Sequence, residues 1–262
     1  MLKRITPSDR RLRQALVVWF AFIIMAVLIN GTIPFLLGYD LHAWTYSTAK
    51  IVLFSLLIYA GMFLFIPLIL VNGWRVVRQP GFLVPVLIAT SGIVLWWPVN
   101  RFAAGLVIPV LAYLHWRYDL SELGFRSCGW KGDIAAIILF GLLSGISLLA
   151  RGIPNDLDPA KAFLAAIERL FANPASTVEN LFYFGFLAES LSNKAGRWLT
   201  PMLIALMYTL HEMSNPEYWY DQTSFGLVFL GIAATTAIYL WRRNIVVIWL
   251  GDGLNRFITR IV

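Results

Sequence analysis

Two glutamates bracket an apolar stretch in VENLFYFGFLAES, residues 178–190, and a carboxylate in that company needs a reason. Burying its charge in hydrocarbon costs several kcal/mol, roughly 2.5 or more at the centre of a membrane helix. Glu179 and Glu189 are ten residues apart, so one helix carries them at opposite ends and about 80° apart around its axis. His211, Asp252 and Asn255 stand at the ends of later apolar runs. At a spacing of three, Asp252 and Asn255 share a helical face. A carboxylate in an apolar pocket can take a proton from water near neutrality and so act as a general base. An imidazole or an amide beside it positions that water or holds an oxyanion.

Plainer roles compete for each group. Ser176-Thr177-Val178-Glu179 fits a capping box, in which the glutamate returns to the amide of the cap residue. His211 also reads as an interfacial histidine, and Asp252 and Asn255 as polar bridges between neighbouring helices. His42 and His115 stand alone at run ends and are read as interfacial.

The elements that must position these groups are membrane helices. Hydrophobic residues make up 59% of the 262-residue chain and charged residues only 13%, against about 25% charged in soluble domains. Mean hydropathy is +0.72. Apolar runs lie near 14–37, 51–72, 81–98, 102–116, 134–150, 176–192, 198–213, 223–241 and 244–259, close to the 20 or so residues a bilayer core requires. WWPVNRF interrupts 81–116, which is either two spans or a broken, partly re-entrant unit. The reading is therefore an all-α, polytopic transmembrane bundle of eight or nine helices. Its basic N-terminus and first apolar run resemble a signal peptide, but the run is too long and lacks a small-residue cleavage site, so it reads as a retained helix. The polar segment 117–133 is expected at the interface. In 155–171, Asp158 caps and Pro159 opens a helix whose Phe163, Leu164, Ile167, Leu170 and Phe171 share one face, an amphipathic helix lying flat on the membrane or capping the bundle. Cys128 is the only cysteine, which excludes a disulfide within the chain.

A formal charge of +7 does not point to nucleic acid, because the basic residues cluster at run ends. With nine spans and the N-terminus inside, fourteen Lys and Arg fall inside and seven outside, the bias expected of a cytoplasmic N-terminus. Glu179, His211, Asp252 and Asn255 then reach a similar depth near the outer boundary. Sequence-distant polar groups meeting at one depth are what a membrane-embedded site produces.

These segments resemble the CPBP family of intramembrane peptidases, which includes the type II CAAX prenyl endopeptidases and Abi-like bacteriocin-processing or immunity proteins. Over 117–258 the spacing of three motifs agrees. The first, Glu-Glu-x-x-x-Arg followed by Gly, is met by Glu179, Asn180, Phe184 and Gly185. The second, Phe-x-x-x-His, is met by Met207 and His211, and the third, His-x-x-x-Asn/Asp, by Gly251 and Asn255. The lead-in DLSELGFRSCGWKGDIAAIILFGLLSG is also similar.

The resemblance divides the chain into N-terminal transmembrane helices, 1–116, and a CPBP-like core, 117–262, within one bundle. It implies Glu179 as general base, with His211 and Asn255 positioning water or holding the oxyanion. Asn180, Phe184 and Gly251 depart from the family pattern, and the remaining ligands make a poor zinc site. No cofactor is expected. The functional expectation is a catalytically impaired homologue acting as scaffold or partner-binding subunit. The alternatives are an active endopeptidase using Glu179 and a small transporter. Partners are the lipid bilayer and another membrane protein or a membrane-bound peptide, in a prokaryotic cell membrane.

Overall fold

The computed structural model describes residues 7–126, 129–151, 158–215 and 222–261. Cys128 and residues 155–157 of the amphipathic segment lie outside them. No strand occurs among the described residues, and each apolar run forms a helix. Helix α1 runs from Pro7–Val27 through the wider turns of Leu28–Thr32 into Ile33–Leu37. Helix α2 is likewise continuous through Thr48–Phe54, Ser55–Phe65 and Ile66–Asn72, with Ser47 Oγ capping the Lys50 amide at 3.1 Å. Helices α3 (Pro80–Leu95), α4 (Val107–Tyr118), α5 (Trp130–Arg151) and α6 (Pro159–Phe171) follow. One long stretch from Ala175 to Met213 is broken at Gly196 (φ 72°, ψ 172°), which makes it α7 (175–195) and α8 (197–213). Helices α9 (Gln222–Arg242) and α10 (Ile245–Ile261) complete the chain.

Three helical stretches, Arg10–Leu37, Thr48–Asn72 and Phe225–Arg242, are long and apolar enough to cross a membrane by length and composition. Pro80–Leu95 is a shorter apolar helix. Segment 81–116 resolves into two helices. Asn100 Oδ1 accepts from the Phe102 amide at 2.9 Å, opening a short 3₁₀ turn that folds α4 back on α3. Gly92 permits that fold, because a Cβ there would stand 2.4 Å from the Ala103 carbonyl oxygen. Gly92→Ala is therefore expected to destabilise the protein by about 1–3 kcal/mol, the usual cost of overpacking. A thermal melt in detergent checks this, and an unchanged midpoint would refute the close approach.

Helix α7 is the centre of the bundle. Every residue from Leu181 to Ala188 is buried, the signature of a helix apolar all round. It packs against α1, α2, α9 and the turn at 121–123. That turn is more deeply placed than a polar interfacial segment would be: Leu120 and Leu123 are buried, and a Cβ at Gly185 would meet the Leu123 carbonyl oxygen at 2.3 Å. Helix α6 begins as its residues require, with Asp158 Oδ1 accepting from the Ala160 and Lys161 amides at 3.1 Å. It lies against α10, which packs in turn on α5. Phe163, Leu164 and Phe171 remain exposed on α6, an apolar face directed away from the protein.

Candidate functional site

The two glutamates at the ends of α7 have different fates. Glu189 is buried in a polar cluster at the opposite end of the helix from the cavity described below. The Tyr239 hydroxyl donates to its Oε1 at 3.0 Å, Arg243 pairs with Oε2 at 3.0 Å, and Arg126 approaches Oε1 at 3.7 Å. Beside it, Asp133 accepts from Arg242 at 2.9 Å and Asn244 at 3.1 Å. These bonds tie α5, α7 and the α9–α10 turn together. The carboxylate is neutralised structurally, as the cost of burying charge demands.

Glu179 faces His211. Its Oε1 lies 3.1 Å from His211 Nδ1, with both side chains about one-tenth exposed. The distance is that of a hydrogen bond but the alignment is not, since Nδ1 makes none. Catalytic contacts are often misaligned before substrate binds and tighten in the complex. The imidazole is held in an aromatic cage: Phe22 meets it edge-on at 4.6 Å and Tyr183 stacks nearly parallel at 5.9 Å. The capping box does not form. Asn173 Oδ1 caps the Ala175 amide at 2.9 Å, and the Ser176 hydroxyl donates to the Asn173 and Arg169 carbonyls. Glu179 is thereby left to face the interior.

Both residues line a cavity of about 340 Å³ walled by polar groups from five helices. Lys50 and Ser55 enter from α2, Asn30 from α1 and Arg169 from α6. Tyr208 and Glu212 line it from α8, beside His211. The wider π-type turns explain part of this convergence. Leu28–Thr32 delivers Asn30, Ser55–Phe65 delivers Ser55 and Tyr59, and Ala175–Glu179 delivers Glu179. Such turns shift the facing of a helix by a fraction of a turn and recur at functional sites.

Asn255 is not part of this arrangement. It is exposed on α10 and absent from the cavity wall, which corrects the expectation that it joins Glu179 and His211. Asp252 is the residue of α10 that reaches inward, holding Arg169 Nε at 2.9 Å. Its neighbours on either side are packed shut, since a Cβ at Gly251 would strike the Phe140 ring and one at Gly253 the Leu170 side chain. Asn180 donates to the Ser176 carbonyl at 2.5 Å and does not line the cavity. Lys50, Arg169 and Glu212 were not expected there. Lys50 and Arg169 read in sequence as topology signals at run ends.

Among the described residues no three His, Cys, Asp or Glu side chains are grouped so as to hold one metal ion, whereas a catalytic zinc takes three protein ligands. Purified protein is expected to keep only substoichiometric zinc after mild chelation. Stoichiometric zinc that His211→Ala removes would overturn this.

The chain matches no protein-family model, no curated protein and no solved structure.

Proposed function

We propose that the protein is a multi-pass membrane hydrolase of the CPBP-like intramembrane peptidase kind, acting without a metal on a membrane-bound peptide. The support is the buried Glu179–His211 pair, 3.1 Å apart, in the wall of a polar cavity inside an apolar bundle. Glu179 takes a proton from a cavity water beside its contact with His211, and the hydroxide attacks the scissile carbonyl. The tetrahedral oxyanion gains stabilisation from the cationic side chains of the same wall, Lys50 and Arg169, with Asp252 fixing Arg169 in place. Collapse of the intermediate returns the proton from Glu179 to the leaving amine. The chain lies in a prokaryotic cell membrane with a cytoplasmic N-terminus and eight or nine spans.

A second reading, a scaffold that has lost catalysis, is favoured by two observations. Gly251 stands where the family carries a histidine, and Asn255 lies outside the cavity. Peptide cleavage by reconstituted protein separates the two readings. Activity that Glu179→Gln eliminates, and Asn255→Ala leaves within a few-fold of wild type, identifies the hydrolase. Unaltered behaviour of Glu179→Gln in every functional assay identifies the scaffold.

A further inference from the structure

At the N-terminal end of α1, three arginines within four residues are used in two different ways. Arg11 turns to the protein, where it pairs with the Glu122 carboxylate and donates to the Glu122 carbonyl at 2.8 Å. Arg10 and Arg13 are exposed and make no ion pair or hydrogen bond to any described residue. With Gln14 and Val17 they form a single stripe at the i, i+3, i+4, i+7 positions of the helix. The stripe borders a groove of about 390 Å³ whose other wall is Ile66 and Leu70, one turn apart on α2. The groove is cationic at its mouth and apolar along its length. Just beyond the end of α2, Trp74 is 64% exposed and Arg75 and Arg78 are also exposed. An exposed tryptophan among cations marks the headgroup level of a bilayer, so Arg10 and Arg13 stand at phosphate depth and Val17, Ile66 and Leu70 at acyl depth.

We propose that this groove is a binding site for one anionic phospholipid. Its phosphate is held by Arg10 and Arg13, with Gln14 as a further hydrogen-bond donor, and one acyl chain lies between α1 and α2. Charge complementarity selects this occupant. A planar guanidinium binds phosphate through two parallel hydrogen bonds, and two such groups over a tail-wide apolar groove match an amphiphile with an anionic head. A zwitterionic lipid would set its own cation against the arginines, and a soluble phosphate would leave the apolar groove unused. The site is independent of the cavity that holds Glu179, because none of its residues lines that cavity.

The test is native mass spectrometry of the detergent-purified protein titrated with phosphatidylglycerol or phosphatidylcholine of identical chains. One phosphatidylglycerol is expected to be retained in preference. The double variant Arg10→Gln/Arg13→Gln is expected to lose about thirtyfold in affinity for it, from ~1 kcal/mol per cation near the headgroups. Leu70→Trp, which fills the groove with both arginines in place, is expected to release the lipid. Arg11→Gln is expected to leave retention unchanged, because that side chain is already paired with Glu122. Glycerol phosphate, the headgroup without tails, is expected not to compete. Equal retention of both lipids, undiminished selectivity in the double variant, or full competition by glycerol phosphate would each overturn the proposal.

Discussion

Glu179→Gln is expected to reduce peptide hydrolysis by about 10²- to 10⁴-fold, the usual contribution of a positioned general base, while leaving the fold intact. The amide keeps the shape of the carboxylate and can occupy the same place beside His211, but it cannot take a proton from water. Burial works in the variant's favour, since a neutral amide with a partner is cheaper to hold in an apolar interior than a carboxylate. The neighbouring Arg169–Asp252 pair at 2.9 Å is untouched. The measurement is product formation from a membrane-tethered peptide by protein reconstituted in vesicles, with a melt of the same sample. A stable Glu179→Gln protein that still cleaves would remove Glu179 from the chemistry.

Glu189→Ala is expected to cost about 3 kcal/mol of stability, the low end of the range for removing one partner of a buried ion pair. The low end applies because Arg126 and Arg243 are 34% and 38% exposed and can recover water, as screened groups do. The Tyr239 hydroxyl cannot, since its side chain is fully buried and its acceptor would be gone. Glu189→Gln is expected to fall between wild type and alanine: it keeps an acceptor for Tyr239 and gives up the charge facing the arginines. Denaturant or thermal unfolding in detergent reads the order, and equal stability of all three proteins would refute the structural role. At a temperature where the variant stays folded, hydrolysis is expected to persist, which separates this glutamate from Glu179.

The helices were legible because their cause is local. Runs of apolar residues near bilayer length can satisfy their backbone groups only as helices, so each run and the break at WWPVNRF could be placed from residue type alone. The same holds for the start of α6, where Asp158 and Pro159 carry their own capping geometry. That Glu179 and His211 belong together was also legible, through their depth in successive helices and the resemblance of their segments to a known set of motifs.

What the sequence could not decide is rotation about the helix axis. Asn255 and Asp252 share a face by spacing, yet Asp252 reaches Arg169 and Asn255 is exposed. The outcome depends on which side of α10 meets α6 and α5, and that depends on close contacts at Gly251 and Gly253 with Phe140 and Leu170. Likewise no residue pattern announces the wide turns in α1, α2 and α7, because a π-type turn is stabilised by what packs around it rather than by its own residues. Those turns bring Asn30, Ser55 and Glu179 to one cavity. The residue types able to do chemistry were therefore fixed by the chain itself, whereas their meeting was fixed by packing between helices distant in sequence, where tenths of an ångström in a contact decide which face turns inward.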